Sequence, residues 1–574
     1  MPVLWKMPIL PVTLAAIIVA TIIAGRRLVF KEGQREFKLS LKMEIGLILA
    51  ITVGAFLLRV PQLSTNPPGI LVDEAYQGLQ GAARWTGEKL PPVPEHETPP
   101  DYPFWSLIEA LSTKTLGVSV SSIRLPAALI GSLSIPLAWL VVRSLLGGAA
   151  GLAAALFLFG SFWHVHNSRL ALPLASLVAE SLAMGWLLLA PNNLSKRWAP
   201  AAAGALAGYS IFGYSAALQL PLWGLLITAG RPVFHPEGRK SLYAPAVFAL
   251  AFAGVVALIS CFNPVTHQMG RTQSLFARAA SGTNADRPPI LAGFFSAQKT
   301  TNGQWANHPR GAPRLSPIER AVFVFGLAAL FSPIPIPAGI RGAIFAWVCC
   351  AIMPEVIPGE IHLSRGIGAL APLAMIMGLA ACLAASAWGK KGLALILVLG
   401  ASNTAITAWH LYAQFPGDPQ VKTWYQSIEY ECASDIRQMY QIEPVRSMRG
   451  AFSYQFNPIL ALVMWNDIQD GHIRLEDNFP ASDLLPLKKY YADPATGEPL
   501  LFILTGPRYP TDRRILPFSI IQLLSHGDDL ENQGKLGEAE SFYREMISVL
   551  PPSHFAQQKL DNLLYRRKSA TPSF

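Results

Sequence analysis

The sequence predicts a polytopic α-helical membrane protein of about 12 spans, with a small extracytoplasmic α/β plus helical-hairpin domain at its C-terminal end. Three observations predict it. Hydrophobic residues make up 51% of the 574-residue chain and charged residues only 14%, with a mean hydropathy of +0.34, a composition foreign to a soluble enzyme. Apolar runs able to cross ~30 Å of hydrocarbon recur at 8–25, 45–60, 124–142, 147–163, 173–190, 199–213, 215–229, 243–262, 319–336, 342–357, 364–386 and 392–412. Basic residues collect in alternate short loops: Arg26 to Lys42, Arg143, Lys196 and Arg197, Arg231 to Lys240, Arg341, and Lys390 with Lys391. Basic loops stay in the cytoplasm, so the loops between them lie outside.

The segments follow in order. Residues 1–44 carry an extra apolar run with its basic flank behind it. It lacks a charged start followed by a small-residue cleavage site, so it reads as a retained span and not a signal peptide. Residues 45–412 form the transmembrane domain, with long outer loops at 61–123 and 263–318. In the first loop, Glu74–Thr86 and Tyr102–Leu116 read as short helices lying on the membrane. One carries Tyr76, Leu79, Ala83 and Trp85 along a side, the other Phe104, Leu107, Ile108 and Leu111. The proline-rich stretch between them cannot be helical. The second loop has little periodicity, and loops of that length are functional or disordered.

From 413 to 574 the composition turns soluble. A strand is expected at Pro499–Thr505, and a helical hairpin over about 526–565. Gly534, Leu536, Ala539, Tyr543, Met546 and Pro551 follow the spacing of one tetratricopeptide unit. One unit cannot bury its own face, so it packs on its own domain or on a protein partner.

The net charge of +10 follows the sides of the membrane and does not point to nucleic acid. Five cysteines give no disulfide framework and no zinc spacing.

Polar groups concentrate at the outer face. Asp73 and Glu74 stand side by side just beyond the span 45–60, and half-buried acid next to lipid is costly enough to imply function. Glu95, His96, Glu97 and Asp101 follow in the same loop, with Tyr102 after them. Arg124, Arg169 and Arg365 sit at outer ends of spans, with His362 close by. Asn307, His308 and Arg310 lie in the second outer loop. A carboxylate to take a proton and guanidinium groups to grip phosphate suit a transferase working on a phosphate-linked lipid. Each group also has an ordinary reading. Arginine at a span end snorkels to headgroups, the 95–101 acids solvate a loop, and His164 and His166 beside Trp163 resemble an interface belt. Tyr209 and Tyr214 read as packing.

Five segments in order carry a resemblance: Leu58-Arg59-Val60 leading to Val72-Asp73-Glu74-Ala75-Tyr76; Ser122-Ile-Arg-Leu-Pro126; Asn167-Ser-Arg-Leu-Ala171; Asn307-His-Pro-Arg-Gly311 with its continuation to Leu315; and His362-Leu-Ser-Arg-Gly366 with its continuation to Pro372. Over roughly 45–412 the chain resembles the C-fold (GT-C) membrane glycosyltransferases, in the broad group of protein O-mannosyltransferases and aminoarabinose transferases.

The resemblance implies transfer of a hexosyl or pentosyl group from a polyprenyl-phosphate donor to a protein, lipid or glycan acceptor on the outer face. It implies an inverting displacement, with Asp73 as base and Glu74 beside it. Arg365 is the first candidate to hold the departing phosphate, followed by Arg310 and His308. His362, Arg124, Arg169, Asp101 and Tyr102 are the remaining substrate-binding candidates. The expected setting is a plasma (bacterial inner) membrane with the active site and C-terminus outside. No cofactor is required beyond the lipid-linked sugar; a divalent metal is not favoured, because the segment after Arg169 lacks the second acid that many relatives carry. The rival readings are a polytopic transporter and a non-catalytic scaffold for envelope glycan assembly. A transporter should show polar residues near the midplane of repeated halves; a scaffold should tolerate the loss of Asp73.

Overall fold

The computed structural model describes residues 40–87, 102–234, 243–262, 292–295, 313–332, 338–356 and 365–425. Within the C-terminal part it describes 430, 433–434, 437, 447–450, 456–466, 474–476, 502–506, 509–515, 530–531, 533–549, 560–561 and 563–564. The chain divides into two compact units. The first takes residues 1–63, 100–108 and 124–415, the second 64–99, 109–123 and 416–574. Much of the first outer loop therefore groups with the C-terminal residues.

The first unit is helical. Its main elements are α1 (Leu41–Arg59), the start of α3 (Pro103–Leu116), most of α4 (Val120–Leu146), α5 (Gly148–Gly160), α6 (Phe162–Asn167), α7 (Leu174–Leu189), α8 (Trp198–Ser210), α9 (Gln219–Phe234), α10 (Ala244–Ser260), α11 (Pro317–Phe331), α12 (Ala338–Val356) and α13 (Leu370–Trp409). Helix α2 (Val72–Thr86) belongs to the second unit. Each apolar run from 45–60 onward coincides with a helix; the run 8–25 lies outside the described residues. By length and composition, four described helical stretches can cross a membrane: Leu41–Arg59, Val120–Leu146, Gly339–Val356 and Ile367–Gln414. Helices α5, α7 and α10 are apolar but shorter. At 13 residues, α5 extends about 20 Å, well short of ~30 Å of hydrocarbon. The protein is a multi-pass membrane protein, in which α5, α7, α8, α10 and α11 are shorter than the apolar runs that predicted them.

Local chemistry explains several boundaries. At α11, the Ser316 hydroxyl accepts the Glu319 N–H at 3.0 Å while the Glu319 carboxylate accepts the Ser316 N–H at 2.8 Å. Two of the four orphan donors at the helix start are thereby satisfied. The expected separation of 364–386 from 392–412 is a break inside α13 at Gly389, where φ is 57° and ψ −138°. That conformation suits only glycine, and Lys390 and Lys391 follow it directly.

Small residues let the helices approach. Helix α13 packs on α5 and α11, α8 packs on α10, and α9 packs on α12. A Cβ on Gly326 would run into the Ile376 carbonyl, and one on Gly204 into that of Phe248. Such close contact gains dispersion where lipid offers no hydrophobic drive. Glu44 at the start of α1 pairs with Arg143 at the end of α4, 2.6 Å apart. The opposite ends of these helices, with Arg59 and Arg124, consequently lie at the other face.

In the second unit, α14 (Phe456–Val463) packs on α2. A four-stranded sheet has the order β2-β1-β3-β4, formed by β1 (Ser447–Gly450), β2 (Arg474–Glu476), β3 (Phe502–Gly506) and β4 (Tyr509–Ile515). β1 pairs parallel with β2 and antiparallel with β3, and β3 pairs antiparallel with β4. β3 overlaps the expected strand over Phe502–Thr505. Helix α15 (Leu536–Val549) buries Ala539 and Tyr543, and the Tyr543 hydroxyl donates to Glu531 at 3.0 Å. Most of the second arm of the expected hairpin lies outside the described residues.

Helix α2 does not lie on a surface with one apolar side. Residues Glu74 to Ala82 are all buried, and only Asp73 at its start and Arg84 and Trp85 near its end are exposed. Its glycines explain the change: a Cβ on Gly78 would come within 2.7 Å of Ile123, and one on Gly81 within 2.7 Å of the Glu109 side chain. Helix α3 exposes Leu107, Ile108 and Leu111 of the expected apolar stripe, while its fourth member, Phe104, packs against Tyr209.

Candidate active site

Asp73 and Glu74 occupy the first turn of α2 and separate into two roles. Asp73 is exposed. Glu74 is fully buried, and its Oε2 accepts the Leu71 N–H at 3.2 Å, capping the helix that carries Asp73. The two adjacent carboxylates thus read as one accessible acid and one structural acid. The positive end of the helix also favours anionic groups in that turn.

In the first unit, the loop leaving α1 is held by three buried arginines. Arg169 Nη1 donates to the Arg59 carbonyl at 2.5 Å and Nη2 to the Pro61 carbonyl at 2.8 Å, with longer contacts to Leu58, Gln62 and the Tyr412 hydroxyl. Its guanidinium also lies over the Tyr412 ring, 5.6 Å from the centroid. Arg124 Nη1 donates to the Leu63 carbonyl at 3.0 Å. Arg59 donates from Nε to Ser168 Oγ at 2.9 Å and from Nη2 to His164 Nδ1 at 2.8 Å.

Since guanidinium only donates, Nδ1 of His164 is the acceptor and its hydrogen sits on Nε2. That hydrogen is donated to Ser134 Oγ at 3.0 Å, and the hydroxyl passes its own to the Gly131 carbonyl. His164 is thereby held neutral; burial and then the neighbouring Arg59 push its pKa well below the usual 6.5. For His166, burial, then Arg169 and Arg124, push it down to about 3. Burial lowers Arg169 to about 10, still cationic at neutral pH.

These histidines are therefore not an interface belt: each is 1% exposed. Arg124 and Arg169, expected as substrate ligands, direct donors into the chain's own carbonyls and hold residues 58–63 in place. Arg59 and His164 complete that clamp, and sequence reasoning gave His164 no part in it.

Arg365 is half-buried in a turn ahead of α13. Directly after it, Gly366 rests on an ion pair. Arg314 and Glu355 are both fully buried and paired through both guanidinium ends, the Nη1–Oε2 bond being 2.8 Å. Trp163 and Phe294 rings flank the Arg314 guanidinium at 4.8 and 5.2 Å. A Cβ on Gly366 would press to 2.7 Å from Arg314 Nη1 and 2.9 Å from Glu355 Oε2, so the pair sets the backbone that presents Arg365. The one signal for it in the sequence was an acid, Glu355, inside an apolar run.

Tyr102 is buried against Tyr214, their ring centroids 6.4 Å apart, and Phe104 against Tyr209 at 4.5 Å. Tyr214 thus packs, as expected, and Tyr209 packs through Phe104 while also bordering a cavity. Asp101, His308, Arg310 and His362 lie outside the described residues. Among the described residues, no three His, Cys, Asp or Glu side chains stand together as a metal site.

Residues 97–265 match the family model described as dolichyl-phosphate-mannose-protein mannosyltransferase. No curated protein matches the sequence. Among solved structures, ArnT from Cupriavidus metallidurans bound to undecaprenyl phosphate is 12% identical, covering 79% of this chain and 92% of that one at a TM-score of 0.49. The Archaeoglobus fulgidus oligosaccharyltransferase tethered to an acceptor peptide is 13% identical, covering 77% and 64% at 0.44. Arabinosyltransferase EmbB from Mycobacterium smegmatis is 15% identical, covering 79% and 47% at 0.38. The chain thus spans less than two thirds of the archaeal and mycobacterial proteins. Scores below 0.5 at these identities decide neither fold nor chemistry, and the weight rests on the family match. That match covers the Ser122–Pro126 and Asn167–Ala171 motifs and supports the resemblance to the C-fold membrane glycosyltransferases over residues 97–265.

Proposed function

We infer that the protein is an integral-membrane glycosyltransferase that moves a sugar from a polyprenyl-phosphate donor to an acceptor on the outer face of the membrane. The observation that carries this reading is the family match over residues 97–265. The exposed Asp73 beside a Glu74 committed to capping supports the assignment of roles.

Asp73 acts as the base. It takes the proton of the acceptor's hydroxyl or amine as that atom attacks the anomeric carbon and the bond to the lipid phosphate breaks, inverting the configuration. A positioned base contributes about 10²–10⁴-fold. Arg365 offsets the charge that develops on the departing phosphate, with Arg310 and His308 as its expected companions. Arg59, Arg124 and Arg169 are positioning residues that hold residues 58–63 at the end of α1. The C-terminal domain influences acceptor choice.

Membranes containing the protein, incubated with a panel of labelled polyprenyl-phosphate sugars, test the reading. Label from one or more donors is expected in a protein, lipid or polysaccharide fraction; its absence from every fraction, with every donor, would remove it. Arg365→Ala is expected to weaken donor binding at least tenfold, and unchanged donor affinity would count against its role.

A further inference from the structure

A second acid in the first unit has no part in the chemistry above. Glu180 lies within the apolar helix α7, two turns from its start, and is 9% exposed. It lines a cavity of about 190 Å³ together with Trp105, Ile108, Ile130, Ser176, Tyr209 and others. This exceeds the ~150 Å³ of an engineered apolar cavity that takes benzene. Its walls are mostly apolar and aromatic, and the carboxylate is its one ionisable acid.

Among the described residues, Glu180 forms no ion pair with any Lys, Arg or His. The Ser176 and Ser210 hydroxyls hydrogen-bond its carboxyl group but bring no positive charge, and each also reaches a carbonyl at 2.8 Å, of Pro173 and Leu206 respectively. A carboxylate accepts and never donates, and one without a counter-charge in an apolar setting is costly. Intramembrane acids of this kind mark ligand sites by default. The missing partner is a cationic donor, and the faces of Trp105 and Tyr209 attract a cation as well. The same negative charge repels phosphate, so the headgroup of the polyprenyl donor does not belong here.

We propose that this cavity binds an aliphatic primary amine, its ammonium on Glu180 and its apolar stem against Ile108, Ile130 and the aromatic rings. The ligand is distinct from the sugar donor, and the site does not depend on the transferase reading. Gly213 offers a way to close it. A Cβ there would stand 4.0 Å from Glu180 Oε1 and meet otherwise only the Ser210 carbonyl group, so a larger side chain has room to enter the cavity.

The test uses the purified full-length protein in detergent, with n-hexylamine and n-hexanol as probes of equal length. Binding is read by calorimetry at pH 7. The wild-type protein is expected to bind the amine at least tenfold more tightly than the alcohol. Glu180→Gln is expected to bring the ratio close to one with the alcohol affinity little changed, and Gly213→Val to weaken both probes. Equal affinities in the wild type, or no binding of either probe, would overturn the proposal. So would an amine preference that survives Glu180→Gln, or amine binding untouched by Gly213→Val. Should Glu180→Gln fail to fold, the wild-type ratio and Gly213→Val decide alone.

Discussion

At the scale of single residues, the buried ions say which substitutions matter. Removing Glu355 alone leaves Arg314 charged and buried against Trp163 and Phe294, which costs about 3–5 kcal/mol. Glu355→Ala is therefore expected to lower thermal stability sharply. Replacing both partners with leucine removes the orphaned charge and is expected to recover most of that loss; a double variant as unstable as the single one would contradict the argument.

The histidines supply a pH dependence. Folded His166 stays neutral down to about 3 because of burial and the nearby Arg169 and Arg124, whereas an unfolded histidine takes its proton near 6.5. Between those values the unfolded chain binds more protons, so stability rises with pH and is lost on acidification from 6.5 toward 3. The denaturation midpoint of His166→Phe, measured across that window, is expected to fall less steeply on acidification than that of the wild type. An unchanged slope would assign the effect elsewhere.

Individual contacts were the least legible part. The acids and arginines at span ends were visible as candidates, but their partners were not. Arg59 meets His164 across 105 positions and Arg314 meets Glu355 across 41. No local pattern reveals that Arg169 spends its donors on backbone carbonyls.

Secondary elements were far more legible, because hydrophobic run length and caps are local. Every described apolar run from 45–60 onward became a helix, Ser316-Pro-Ile-Glu319 became a capping box, and the Lys390–Lys391 turn fell at Gly389. Helix α2 departs from expectation because its glycines let neighbours reach its outward side, an effect that an amphipathic pattern does not contain. Strand β4 went unread since Tyr509-Pro-Thr-Asp-Arg-Arg-Ile515 has no alternating apolar face. It is an edge strand, where proline and charge are tolerated and discourage further pairing.

The break in α13 yields a prediction at this scale. With φ at 57°, a side chain at Gly389 would be strained by about 1–3 kcal/mol. Gly389→Ala is expected to destabilise by that amount in a thermal or denaturant melt, and a neutral result would mean the turn relaxes freely.

For the whole molecule, hydropathy and the alternation of basic loops predicted a multi-pass helical protein, and the order of the motifs carried the resemblance that the match over 97–265 supports. The helix ends agree with that alternation: Glu44 with Arg143 marks one face, and Arg59 with Arg124 the other. The division into units cuts across the sequence reading, since 64–99 and 109–123 group with 416–574. If the second unit governs the acceptor, a chain ending at about residue 420 should keep donor binding while its acceptor use changes. Identical acceptor use by the truncated and full-length proteins would remove that idea.

The most direct measurement is transfer by Asp73→Asn in membranes supplied with the labelled lipid-linked sugar that the wild-type protein uses. Donor binding and membrane insertion should match the wild type while the transfer rate drops by about 10²–10⁴-fold. Transfer at the wild-type rate would show that a different group deprotonates the acceptor, and the account of this protein as a transferase driven by its first-loop acid would not stand.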